Sequence, residues 1–207
     1  MGRHRDDDSL GVRLLEAACT IIDADGPKAF SLREVARRAG VSHTAPYNHF
    51  DSKDHLLAEV ALLGWEKLDE SMADAQHMAA DDARSQFMAT GMGYVLFALR
   101  HPERYRLMQW QVHCEHLDQE KQQAQSASYR RLQRAVTAMR ADIGLATDDD
   151  SVNHDCLLAW SLVHGMVGLH LDAGVAPLNV DNLGMHKSML ETFTRIWDAS
   201  WAEPRST

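Results

Sequence analysis

Residues 31 to 55, SLREVARRAGVSHTAPYNHFDSKDH, constrain the chain more than any other stretch, because they spell two short helices joined by a tight turn. Ser31 and Glu34 have the spacing of a capping box, in which the serine hydroxyl accepts from the N–H of Glu34 and the glutamate reaches back to the N–H of Ser31. Phe30 before the cap and Val35 one turn into the helix are placed as a hydrophobic staple, and Leu32, Val35, Ala36 and Ala39 make an inward stripe. Arg33, Arg37 and Arg38 give the opposite face a basic character. Gly40 supplies the positive φ that ends the helix, Val41 is an apolar turn residue, and Ser42 is expected to cap a second helix carrying His43, Thr44, Ala45, Tyr47, Asn48 and His49. A helix enters a major groove ~12 Å wide only if a first helix and a short turn hold it proud of the body. Ala36, Ala39 and Gly40 are small enough for that crossing. The pattern is a helix-turn-helix and points to DNA, although a purely structural helical hairpin also tolerates Gly in its turn.

Longer matches narrow the choice. The run AGVSHTAPYNHFDSKDHLL resembles the signature of the tetracycline-repressor (TetR) family of bacterial transcription regulators, where Ala-Gly-Val-Ser, a Tyr, a His-Phe pair and a Ser-Lys recur at these spacings. The resemblance implies that Ser42 to Tyr47 lie in the groove, that Tyr47, His49 and Lys53 grip phosphates, and that Phe50 packs in a small core. Pro46 departs from the family's usual Leu, Ile or Val. Counted from Ser42 as cap it falls in the first turn, where proline costs only one early hydrogen bond, so a short, tight helix is expected. His43 is not a standard base reader, which leaves the target sequence open. Further along, AWSLVHGMVGLHL resembles the Trp-His-Gly segment of one TetR subgroup's C-terminal domain through Trp160, His164 and Gly165, and LFALRHPERYRLM resembles its earlier block.

Charge is distributed in keeping with a DNA reader on a larger body. The 207-residue chain carries a net charge of −9, which argues against a general nucleic-acid coat protein, since non-specific affinity comes mainly from neutralised phosphates. Between Gly26 and His55, however, Lys28, Arg33, Arg37, Arg38 and Lys53 outnumber Glu34, Asp51 and Asp54. A small positive footprint on a repelling body favours one docking orientation. Arg3 and Arg5 suggest a basic arm, while Asp6, Asp7 and Asp8 are better placed at the positive end of a first helix dipole. The opening MGRHRDDDS has no apolar h-region, so a cytoplasmic protein is expected. Cys19, Cys114 and Cys156 are too scattered for a disulfide framework and are expected as buried thiols.

The remaining punctuation is helical throughout. Asp8 or Ser9 is expected to cap a first helix with Leu10, Leu14, Ala18 and Ile21 inward, ending at Asp25-Gly26-Pro27. Asp51 or Ser52 caps a fourth helix with Leu56, Val60 and Leu63 inward, running from 52 to 78; the resemblance makes it the link between reader and body. Helices are then expected at 84 to 100, 102 to 110, 118 to 143, 155 to 171 and 181 to 201. The fold class is all-α, with about nine helices: a helix-turn-helix domain at 9 to 55 and a ligand-binding and dimerisation domain at 82 to 202. The 155 to 171 segment is apolar on nearly all faces and must be covered, yet is too short and too interrupted by His164 to be a membrane span, which needs ~20 residues. A two-fold dimer through Leu157, Val163, Val167, Leu171, Met189, Phe193 and Trp197 would cover it and place two readers on an inverted-repeat operator.

What the body binds is less determined. Met88, Met92, Phe97, Met108 and Trp110 lie on helices that surround a ligand cavity in the family, and His113, Trp160 and His164 are further candidates; a stripe of Met and aromatic residues is equally what a plain core contains. His113, Cys114, Glu115 and His116 invite a metal reading, but only His113 and His116 share a helical face, and no metal or other cofactor is called for. No GxSxG, HExxH or P-loop appears, so catalysis has no support. The reading is a ligand-responsive, homodimeric DNA-binding regulator, a repressor released by an unknown small molecule. The alternative is a helical metal- or small-molecule-binding protein without sequence-specific DNA binding.

Overall fold

The computed structural model describes residues 3–109 and 118–171, together with 187, 188, 190–192 and 195. Among these, α1 (Arg3–Asp25), α2 (Leu32–Ala39), a 3-10 turn η1 (Ala45–Asn48), α3 (Lys53–His77), α4 (Ala83–Arg100), α5 (Pro102–Gln109), α6 (Asp118–Asp142) and α7 (Asp149–Leu171) follow in order, with no strand. The all-α expectation holds. The described part of the 181 to 201 helix is confined to a few residues, and Trp110, His113, Cys114, His116, Met189, Phe193 and Trp197 lie outside the described residues.

The chain divides into two units, one comprising 1–67 and 100–127, the other 68–99 and 128–207. In the first, Leu14, Ala18, Ile21 and Ile22 of α1 bury against a core that also holds Phe30, Val35, Ala36, Phe50, Leu56 and Val60. Each buried Leu, Ile, Val or Phe side chain among them contributes on the order of 2 kcal/mol. Leu10 and Leu63 are half-buried. Arg104 of α5 grips Asp23 near the end of α1 through two bonds of 3.0 and 2.6 Å, and His101 Nδ1 lies 3.4 Å from the same carboxylate. Gly26 follows in the left-handed region (φ 72°), where a Cβ would also sit 2.8 Å from Glu103 Oε2.

The second unit is closed by a cluster of Phe87, Leu132, Val136, Met139, Val152 and Cys156. Arg140 of α6 and Asp155 of α7 form an ion pair inside it, both buried. Gly93 lets α4 lie against the 68–77 part of α3. A Cβ there would fall 2.5 Å from Met72 Cα and 2.6 Å from Ser71 O, and the Ser71 hydroxyl donates to the Gly93 carbonyl at 2.9 Å.

Several boundaries move. α1 begins at Arg3, so neither Asp8 nor Ser9 caps it, and Arg3 and Arg5 belong to the helix rather than to an arm. Helical continuity of RHRDDDS places the three aspartates in the early turns of the helix, where the dipole tolerates them. α7 begins at Asp149, not Asp155, because Asp148 Oδ1 accepts from the N–H of Ser151 at 3.0 Å and caps it. Ser52 is the cap of α3, accepting from the N–H of His55 at 3.0 Å.

Candidate functional site

The start and the stop of α2 are where the sequence implies them. Ser31, in extended conformation, accepts from the N–H of Glu34 at 3.2 Å. Glu34 does not close the other half of the capping box: its two carboxylate oxygens accept from Arg37 at 2.8 and 2.6 Å, and from Arg38 at 3.2 Å. These bonds, from Arg37 first, hold its carboxyl down from 4.5 to about 2, and Glu34 in turn raises the Arg37 guanidinium. Arg38 also reaches Asp25 at 3.0 Å. Of the three arginines expected on the basic face, Arg33 alone makes no ion pair among the described residues. Gly40 stops α2 at φ 70° and ψ 35°, its N–H and that of Val41 turning back to the Arg37 and Ala36 carbonyls. Arg13 of α1, which no local motif marks, donates to the last carbonyl of α2, Ala39 O, at 2.6 Å.

The second helix is shorter than expected. Ser42 does not cap it; the turn is the single 3-10 stretch Ala45–Asn48, preceded by Thr44 with no side-chain cap, while the Ser42 and Thr44 hydroxyls meet at 3.1 Å. Pro46 explains both its length and its survival. Proline has no N–H to lose near a helix start, and its carbonyl accepts from His49 at 3.0 Å and Phe50 at 2.9 Å. Its ring is buried, so proline packs into the core at this position.

The turn sets Ser42, His43, Thr44, Tyr47 and Asn48 outward, with Tyr47 58% exposed despite its size, and leaves Ala45 half-buried. His49 is half-buried too: its ring centroid is 6.4 Å from that of Phe50, and a Cβ on Gly11 would lie 3.4 Å from its Nδ1. Lys53 is exposed at the start of α3, its ammonium 5.7 Å from the Phe30 ring centroid, a cation–π contact that steadies its stem.

The second unit contains a cavity of about 40 Å³ among α4, α6, α7 and the 68–77 part of α3, lined by Met72, Phe87, Met88, Thr90, Gly91, Tyr94, Ser128, Leu132, Ala159, Trp160, Leu162, Val163 and Leu190. Met88 and Trp160 are therefore among the residues that line it. His164 is not among the lining residues; its Nδ1 lies 3.1 Å from the Tyr94 hydroxyl, while the Tyr94 and Trp160 rings meet edge to face. Met92 lines an outer groove instead. Phe97 is plain core and Met108 belongs to the first unit, where it packs on Gly64; neither reaches the cavity. Tyr94, Thr90, Phe87 and Leu132 were missed because nothing in their local pattern separates a cavity wall from a core face.

A polar chain starts at that wall. The Thr90 hydroxyl, 1% exposed, donates to the Gln86 carbonyl and accepts from Gln76 Nε2, both at 2.9 Å. Gln76 Oε1 accepts from Arg131 at 3.1 Å, and Arg131 forks onto Asp69 at 2.7 and 2.8 Å. Burial pushes the Cys19 thiol up and that of Cys156 to about 12, the latter helped by Asp155, so both are inert packing groups. Among the described residues no cluster of three or more His, Cys, Asp or Glu could hold a metal, and no helix is long and apolar enough to cross a membrane.

A helix-turn-helix with an exposed second element, followed by a cavity-bearing helical body, defines a DNA-binding regulator. Residues 14–60 match the model of bacterial regulatory proteins of the tetR family, and residues 87–193 match that of the tetracyclin repressor-like C-terminal domain. The chain belongs to the TetR family of transcription regulators. It is 30% identical over 100 residues to the uncharacterized HTH-type transcriptional regulator YobS of Bacillus subtilis, a match covering 48% of this chain and only 51%, about half, of that relative. A protein of unknown function from Rhodococcus sp. RHA1 shares the fold with a TM-score of 0.76 at 32% identity, over 90% of this chain and 94% of that one. The transcriptional regulator FadR of Bacillus subtilis, solved in complex with stearoyl-CoA, is similar in fold alone, with a TM-score of 0.65 at 15% identity over 87% of this chain and 95% of its own.

Proposed function

We propose that this regulator binds an inverted-repeat operator as a homodimer in the cytoplasm, represses transcription, and is released by a small molecule. The observation that carries the reading is the exposed row on η1 and its approach, Ser42, His43, Thr44, Tyr47 and Asn48, with Lys53 and Arg33 also exposed and able to meet phosphates. Asn and the hydroxyl side chains have donors and acceptors suited to base edges, and Tyr and Lys suit the backbone. Ala45 and His49 fit a supporting role better than a direct grip, since both are half-buried.

Dimerisation has its own support. Leu157, Leu158 and Leu169 of α7 are 65%, 47% and 53% exposed, and a Cβ on Gly165 or Gly168 between them would meet nothing within 4 Å. Val163 and Val167 are buried within the second unit, so the face open to a second copy is that of Leu157, Leu158 and Leu169, with Leu171 half-buried beyond. Release requires an effector that binds the non-DNA conformation more tightly, by the free energy it removes from DNA binding. Thr90 is in the cavity wall and bonds to Gln76, near the end of the single helix that starts at Lys53, so α3 is the element an effector would move.

Chromatin immunoprecipitation of the tagged full chain in its host tests the reading. A small set of sites sharing an inverted repeat is expected; recovery indistinguishable from background contradicts it.

A further inference from the structure

The cavity carries a statement about ligand chemistry. None of its described wall residues is charged, and the surface they present is overwhelmingly apolar. Of its three hydroxyl residues, Thr90 is engaged with Gln86 and Gln76 and Tyr94 with His164, and Ser128 is buried. An ionised group placed there would lose its hydration and find no counter-charge among the described wall residues. Rings and aliphatic carbons, in contrast, would meet Phe87, Tyr94, Leu132 and Trp160.

The way in is also marked. Outside the cavity runs an open groove of about 390 Å³ bordered by Arg84, Met92, Lys187 and Glu191, and the two spaces share two wall residues, Met88 and Leu190. Both are unbranched at Cβ and can change rotamer without backbone motion. Gly91 gives Leu190 its seat, since a Cβ at 91 would lie 3.3 Å from Leu190 Cδ2 and 3.5 Å from Val163 Cγ1.

We propose that the cavity takes a small, uncharged, largely apolar molecule about the size of one aromatic ring, admitted where Met88 and Leu190 part. At about 40 Å³ the space must widen to hold a ring, and Met88 and Leu190 are the side chains that can yield. The inference rests on the effector reading above for its biological use, but binding itself is independent of DNA.

The test is isothermal titration of the full chain with benzyl alcohol and, separately, benzoate, in the absence of DNA, alongside Gly91→Ala and Met88→Ala. Gly91→Ala narrows the cavity with a better helix former, and circular dichroism of both variants confirms folding. Benzyl alcohol is expected to bind one per chain, benzoate at least tenfold more weakly, and Gly91→Ala to weaken benzyl alcohol at least fivefold, while Met88→Ala speeds its entry in stopped flow. Benzoate binding as tightly as the alcohol overturns the uncharged class. Benzyl alcohol that fails to bind the folded wild type, or binds folded Gly91→Ala unchanged, overturns the cavity assignment. Neither result bears on operator recognition, which is read separately by DNA binding.

Discussion

Glu34 governs how much of the reader's positive charge is free to meet phosphate, because it holds Arg37 and Arg38 together on the surface of α2. Glu34→Gln is expected to tighten binding to random duplex DNA and to steepen the fall of log affinity with log salt by about one, measured by fluorescence anisotropy at several salt concentrations. The carboxyl is lowered on folding, so its pairing is complete above its ordinary 4.5 and is lost as pH falls toward 2; a carbon-detected titration should find its midpoint near 2. A midpoint near 4.5 would show the arginines disengaged. The capping serine and the glycine stop were legible at this scale because each follows from local geometry. The destination of the Glu34 side chain was not, since three partners lay within reach and only the assembled helix chooses among them.

At the scale of elements, close approach matters more than pattern. Gly93→Ala would drive a methyl into the Met72 and Ser71 backbone, and overpacking of this kind costs about 1–3 kcal/mol, with the upper end expected here because backbone cannot rotate aside. Thermal unfolding should show it. Asp155→Ala leaves Arg140 charged and buried and should cost about 3–5 kcal/mol in denaturant unfolding; a loss under 1 kcal/mol would mean the pair is solvated. Helix existence was readable from Leu14, Ala18 and Ile21 or from the stop at His101-Pro102, because periodicity and breakers are local signals. Helix starts at Arg3 and Asp149 were misplaced, since several Asp and Ser residues in a row offer competing caps. Pro46 was read correctly as tightening η1, yet the loss of the Ser42 cap depended on how the turn packs.

Across the whole molecule, the sequence showed that α7 is too apolar to stand alone but not which face remains open. Val163 and Val167 go to the chain's own core, whereas Leu157, Leu158 and Leu169 stay outside, a choice made by neighbours far away in sequence. Replacing Leu157 and Leu158 with Glu is therefore expected to convert a dimer to monomers in light scattering while leaving the helical content intact. An unchanged mass would place the interface elsewhere. The cavity was legible only as a bias toward Met and aromatic residues, because a wall and a core share one composition until the fold is assembled. Whether η1 reads DNA sequence is decided by selecting bound duplexes from a randomised pool at about physiological salt, with Tyr47→Ala and Asn48→Ala run beside the wild type. An inverted repeat is expected to be enriched by the wild type and by neither folded variant. A folded wild-type protein that enriches nothing, or variants that enrich the same repeat equally well, would contradict it.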